Sequence, residues 1–141
     1  MPLLFVYGTL KEGFPNHHLN IGRRVPGLFQ TRAARPLLVV RLCQEDRAPW
    51  LLDAPGQGFP VRGQVFEIQP EDLVAIDAFE EVGRPTGYVR VELELASAQG
   101  EAVTAFAYVK PPHQLGDCLQ VDGPFEEYTA ELARGYWLQA T

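Results

Sequence analysis

The chain has 141 residues, enough to bury about 68–70% of the surface its unfolded form exposes, so no disulfide or metal is needed to hold a core together. Hydrophobic residues at 46% and charged residues at 21% fit an ordinary globular domain and exclude collagen, coiled coil and disorder. Twelve Lys and Arg against eighteen Asp and Glu leave a net charge of −6, the wrong field for tracking nucleic-acid phosphates, so no nucleic-acid partner is expected.

The apolar opening from Met1 to Leu10 stops at Lys11. It carries no basic leader region and is too short to span a bilayer, so a cytoplasmic protein without membrane partner is expected. Leu3 to Tyr7 reads as a buried strand ended by Gly8. Asn16 is placed to cap a short helix through Ile21. Further strands are expected at Gly27–Thr31, Leu37–Arg41 and Trp50–Leu52, with a loop over Pro55–Pro60. A strand then covers Val61–Ile68, and Pro70 opens a helix with Glu71 and Asp72 in its first turn, where the helix dipole favours negative charge. Val89, Val91, Leu93 and Leu95 alternate with Tyr88, Arg90, Glu92 and Glu94, the pattern of a half-buried strand. A turn at Ala98–Glu101 leads to a returning strand over Val103–Val109. Gly123–Pro124 is read as the start of a last helix through about Trp137, with Phe125, Tyr128 and Leu132 on one stripe. Together these elements predict one α+β domain over residues 1–141, its sheet curled into a small mixed barrel flanked by helices.

Stepping 100° per residue along the helix at 70–80 puts Leu73, Val74, Ile76 and Phe79 on one arc, with Glu80 near its centre. A carboxylate there is costly unless paired, and burial raises its pKa toward the range useful for moving protons near neutrality. The alternative is a helix that ends by Phe79 and turns Glu80 into solvent. The Tyr7-Gly8-Thr9-Leu10 turn is the second candidate, because a glycine after a buried strand lets backbone N–H groups approach a ligand. Other chemistries lack parts. The single serine, Ser97, has no nucleophile elbow. His17, His18 and His113 have no metal-ligand spacing, so no metal site is expected. Cys43 and Cys118 form no paired motif and are read as reduced packing residues. No cofactor is expected.

Val6-Tyr7-Gly8-Thr9-Leu10-Lys11, then Pro15-Asn16-His17, Pro49-Trp50-Leu51-Leu52, Pro55-Gly56-Gln57-Gly58 and Gly63-Gln64-Val65-Phe66 occur in that order. With Ile76-Asp77-Ala78-Phe79-Glu80, Tyr88 and Arg90 they resemble the γ-glutamylcyclotransferase-like superfamily, and within it most the γ-glutamylamine cyclotransferases, from about residue 3 to about 109. The resemblance implies a small mixed barrel and a cofactor-free enzyme. In its reaction the α-amine of a small γ-glutamyl substrate attacks the γ-carbonyl, releasing 5-oxoproline and a free amine such as lysine from γ-glutamyl-ε-lysine. It also implies that Glu80 is the general acid/base and that Tyr7, Gly8, Thr9 and Leu10 bind the glutamyl part. Tyr88 and Tyr108 are added as candidate hydroxyl donors, each equally readable as a core aromatic. The Glu80–Tyr88 interval is longer than in the animal enzymes, and past Val109 the likeness fades. A non-catalytic binding protein on the same fold, or a cyclotransferase for another γ-glutamyl conjugate, are the competing readings.

Overall fold

The computed structural model describes residues 1–139. Its strands in chain order are β1 (Leu3–Val6), β2 (Arg23–Thr31), β3 (Leu37–Arg41), β4 (Glu45–Asp46), β5 (Ala48–Leu51), β6 (Arg62–Glu67), β7 (Val89–Ser97), β8 (Ala102–Val109), β9 (Gln120–Phe125) and β10 (Trp137–Leu138). Five of them close a barrel in the order β1-β6-β2-β7-β8, β8 meeting β1 in parallel. A three-stranded sheet, β5-β3-β9, and the β4/β10 pair lie outside it. The expected α+β mixed barrel is present, with less helix than expected. Among the described residues the α-helices are α1 (Pro70–Phe79) and the single turn α2 (Ala130–Ala133), and Pro112–Asp117 forms a 3₁₀ helix.

The continuous apolar run of β1 has a simple cause: both faces are buried. Successive side chains of a strand point to opposite faces. Leu4 and Val6 pack with Leu73 and Ile76 of α1, while Phe5 and the following Tyr7 join Val65, Leu93, Leu95 and Ala107 in the barrel core. The alternation expected in β7 holds for buried Leu93 and Leu95 against exposed Glu92 and Glu94. It lapses at Val89, which is 44% exposed. Helix α1 starts at Pro70 as expected, but Val74 leaves the buried arc and faces solvent.

Two local expectations need correction. The short helix after Asn16 is a 3₁₀ turn, His17–Leu19, and the Asn16 side chain does not cap it. Its amide donates instead to Thr9 Oγ1 at 3.0 Å and to Tyr136 Oη at 2.9 Å. The helix expected from Gly123–Pro124 is not formed. Gln120–Phe125 pairs with β3, Thr129 caps only the short α2, and Gly135 at φ +87° ends it. Sheet pairing outcompetes helical periodicity here, although the stripe of Phe125, Tyr128 and Leu132 does pack against the core. The two-residue β4 was not expected, and no described helix is long and apolar enough to cross a membrane.

Candidate active site

β1 leaves the barrel at Val6 and runs directly into a cavity of about 910 Å³, within the usual range for a small-molecule site. Its walls are the turn from Tyr7 to Leu10, the end of α1 from Ala78 to Glu81, the segment from Leu42 to Trp50, Tyr88, the end of β8 at Tyr108 and Lys110, and Tyr136. Glu80, Tyr7, Gly8, Thr9, Leu10, Tyr88 and Tyr108, the seven residues singled out above, all line it.

The turn is closed by Lys11 N–H donating to Gly8 C=O at 3.1 Å and Asn16 N–H to Thr9 C=O at 2.9 Å. The backbone N–H groups of Gly8, Thr9 and Leu10 donate to no described protein group. Buried donors normally have a partner, and Thr9 and Leu10 are only 8% and 6% exposed. Three amides without a described acceptor thus lie on one cavity wall, an arrangement chemically suited to an oxyanion or carboxylate. The glycine is required for space rather than for an unusual backbone: a Cβ at Gly8 would lie 2.4 Å from Pro49 Cγ.

Helix α1 does end at Phe79, yet Glu80 does not turn away into solvent. It is the C-cap residue, half-buried, and lines the cavity. Burial, then the negative charge of Glu45, push its carboxyl up to about 8, with Lys110 pulling the other way. The native state thus keeps this proton up to about pH 8, while an ordinary carboxyl gives it up near 4.5. Between those values the folded protein binds more protons than the unfolded one, so this group's contribution to stability falls as pH rises. Glu80→Gln lacks that slope. Its urea midpoint is expected to gain on that of the native protein steadily from pH 4.5 to pH 8, and parallel curves would contradict the assigned burial.

Several cavity residues were not singled out from the sequence. Lys110, 4% exposed, lies 4.5 Å from the Trp50 ring and 4.4 Å from the Tyr88 ring. Its ammonium donates to Thr86 C=O at 2.7 Å and Gln114 Oε1 at 2.8 Å. Gln114 in turn donates to Gly87 C=O at 3.0 Å and Pro85 C=O at 3.2 Å. The long interval between Glu80 and Tyr88 is thereby tied to the cavity wall. Glu45 accepts from Tyr136 Oη at 3.0 Å, and burial raises its carboxyl pKa. The only sequence signal for Lys110 was a lysine ending an apolar strand before two prolines. Glu45, inside Gln44-Glu45-Asp46, looks like any solvated charge.

The tyrosine hydroxyls are already engaged. Tyr7 donates to Tyr108 C=O at 2.6 Å, Tyr88 to Pro49 C=O at 3.1 Å, and Tyr108 to Asp77 Oδ1 at 2.6 Å. Asp77 also pairs with Arg90 at 3.0 Å, so Arg90 serves the helix rather than Glu80. His17 contacts Leu10 C=O at 3.3 Å and His18 is exposed. Among the described residues no cluster of three His, Cys, Asp or Glu side chains is arranged to hold a metal, and both cysteines are free thiols.

Comparison with known proteins agrees with this geometry. The family model described as gamma-glutamyl cyclotransferase, AIG2-like, matches residues 4–138, well past the point near 109 where the likeness was expected to fade. A gamma-glutamylaminecyclotransferase of Rattus norvegicus is 34% identical over 120 residues, 77% of each chain. A relative in Arabidopsis thaliana is 36% identical over 103 residues, and there the match spans about half of the relative, 52%. The crystal structure of an AIG2-like protein from Mus musculus superposes with a TM-score of 0.75 at 30% identity, covering 100% of this chain and 95% of that one. On a family match that takes in the turn, Glu80 and Lys110 together, the chain belongs to the gamma-glutamyl cyclotransferase, AIG2-like family of enzymes.

Proposed function

We propose that this protein releases 5-oxoproline from γ-glutamyl amines, of which γ-glutamyl-ε-lysine is an example, without a cofactor. The observation that carries this reading is a carboxyl with a pKa of about 8 sharing one cavity with three unpartnered backbone amides. Both reacting groups belong to the substrate, so the protein's task is to fold the glutamyl chain until amine and carbonyl nearly touch, and to move protons. Glu80 takes one proton from the α-ammonium. The freed amine then bonds to the γ-carbonyl carbon, and the amides of Gly8, Thr9 and Leu10 receive the negative oxygen. As the C–N bond to the leaving amine breaks, Glu80 returns a proton to that nitrogen. The ring nitrogen gives up its second surplus proton, so the products are 5-oxoproline and an ammonium ion.

A carboxyl near pKa 8 is suited to both transfers, because neither protonation state is far from populated at neutrality. Its base form is the one that starts the reaction, so kcat/KM is expected to rise through a limb near pH 8. A limb near 4.5 would assign the proton to some other group. Mass spectrometry of the purified protein with a panel of γ-glutamyl amines tests the reading itself. Appearance of 5-oxoproline supports it; no product from any member favours a binding protein that has kept the cavity.

A further inference from the structure

We propose that Glu45 is the receptor for a second positive charge on the substrate, so that the preferred conjugates carry an ammonium group on the leaving amine beyond the scissile amide, as conjugates of diamines do. This deepens the cyclotransferase reading and rests on it. Glu45 lies on β4, a wall of the cavity separate from the α1 end that carries Glu80. It makes no ion pair among the described residues. Lys110 is the one lysine or arginine among the described residues of the lining; its ammonium hydrogen-bonds to Thr86 and Gln114 and acts on Glu45 only through space, without an ion pair.

The Glu45 carboxylate is nonetheless held in a fixed direction. Asn16 Nδ2 donates to Thr9 Oγ1 and to Tyr136 Oη, and Tyr136 Oη donates to Glu45 Oε2. A chain of hydrogen bonds thus links the substrate-binding turn to a carboxylate some 36 positions further along the sequence, counted from Thr9 to Glu45. Withdrawing a carboxylate from water with one neutral donor and no ion-pair partner is unfavourable, even with the Lys110 charge nearby, and orienting it by a network prepares it for a ligand. A cation completes it through a charge-assisted hydrogen bond. That cation is not the reacting α-ammonium, because a carboxylate paired with that group would hold its proton and oppose the attack. It is a charge that persists through the reaction, which places it on the leaving amine. Glu81 and Asp117 add to the negative lining and favour the same sign.

Two conjugates decide the matter, γ-glutamyl-pentylamide and γ-glutamyl-(5-aminopentyl)amide, which differ only by a terminal ammonium. The native protein is expected to favour the ammonium conjugate by about tenfold or more in kcat/KM, the scale of one charge-assisted contact. Glu45→Gln should collapse that ratio toward one, Glu45→Asp should retain part of it, and Tyr136→Phe should reduce it. A native ratio of one or less, or a ratio that survives Glu45→Gln, overturns the proposal. Calorimetric titration of the same pair into Glu80→Gln and Glu80→Gln/Glu45→Gln reads the preference without turnover. If neither conjugate is cyclised, the cyclotransferase reading fails, and the calorimetric ratio still decides the role of Glu45.

Discussion

Glutamine in place of Glu80 is expected to lower kcat for 5-oxoproline release by about 10²–10⁴-fold, the range a positioned general acid/base contributes. The substitution is nearly isosteric and removes only the ability to exchange a proton. Binding should persist, because the receptor proposed above for the substrate's negative oxygens is the set of backbone amides of Gly8, Thr9 and Leu10, which the change does not touch. The expected signature is therefore a fall in kcat with little change in KM, together with the stability gain toward pH 8 described above. An aspartate at the same position keeps the proton but withdraws it by one methylene, and a misplacement of about 1 Å at a reacting centre can cost 10²-fold. Full activity in Glu80→Gln would remove the proton carrier from the mechanism.

Gly87→Ala is expected to be the second most damaging single change. A Cβ at Gly87 would lie 1.8 Å from Glu81 C=O and 3.2 Å from Glu80 C=O. These are backbone atoms, so no side-chain rotation relieves the clash, and the segment that carries Glu80 must shift. Tyr88 N–H donates to Glu80 C=O at 3.0 Å, and Gln114 holds Gly87 C=O, so the shift is resisted from both sides. Overpacking of this kind costs about 1–3 kcal/mol. The effect on rate should be larger than the effect on stability, on the order of 10²-fold in kcat, since the shift reaches Glu80, the proton carrier proposed above. Gly116→Ala is the control. That glycine has an ordinary φ and nothing within 4 Å of a built Cβ, so its melting temperature and rate should stay near those of the native protein. Equal behaviour of the two variants would show that the 83–87 loop does not position Glu80.

The barrel strands were legible because burial imposes period two on β7 and a solid apolar run on β1, and both patterns survive into the structure. The helix at 70–79 was legible for the same reason, with its proline and acidic first turn. The C-terminal third was not. Phe125, Tyr128 and Leu132 have helical spacing, yet a sheet edge offered by β3 captures Gln120–Phe125, and such long-range pairing leaves no local trace. The candidate site was half legible. Glu80 stood out as a charge on an apolar arc and the Tyr7–Leu10 turn as a glycine after a buried strand. Glu45, Lys110, Gln114 and Tyr136 reach the cavity from positions 30 to 56 residues away from Glu80, the limits set by Lys110 and Tyr136, and each is an ordinary polar residue in its own neighbourhood.

Titration of the Glu80 side-chain carboxyl by carbon NMR, assigned by its disappearance in Glu80→Gln, bears most directly on the proton chemistry. A midpoint near 8 is expected, falling when Glu45 is changed to Gln, because that removes the second contributor to the upward shift. A midpoint near 4.5, the value of a carboxyl in water, would mean that Glu80 is neither shielded nor poised, and that the ring closure is served by another group.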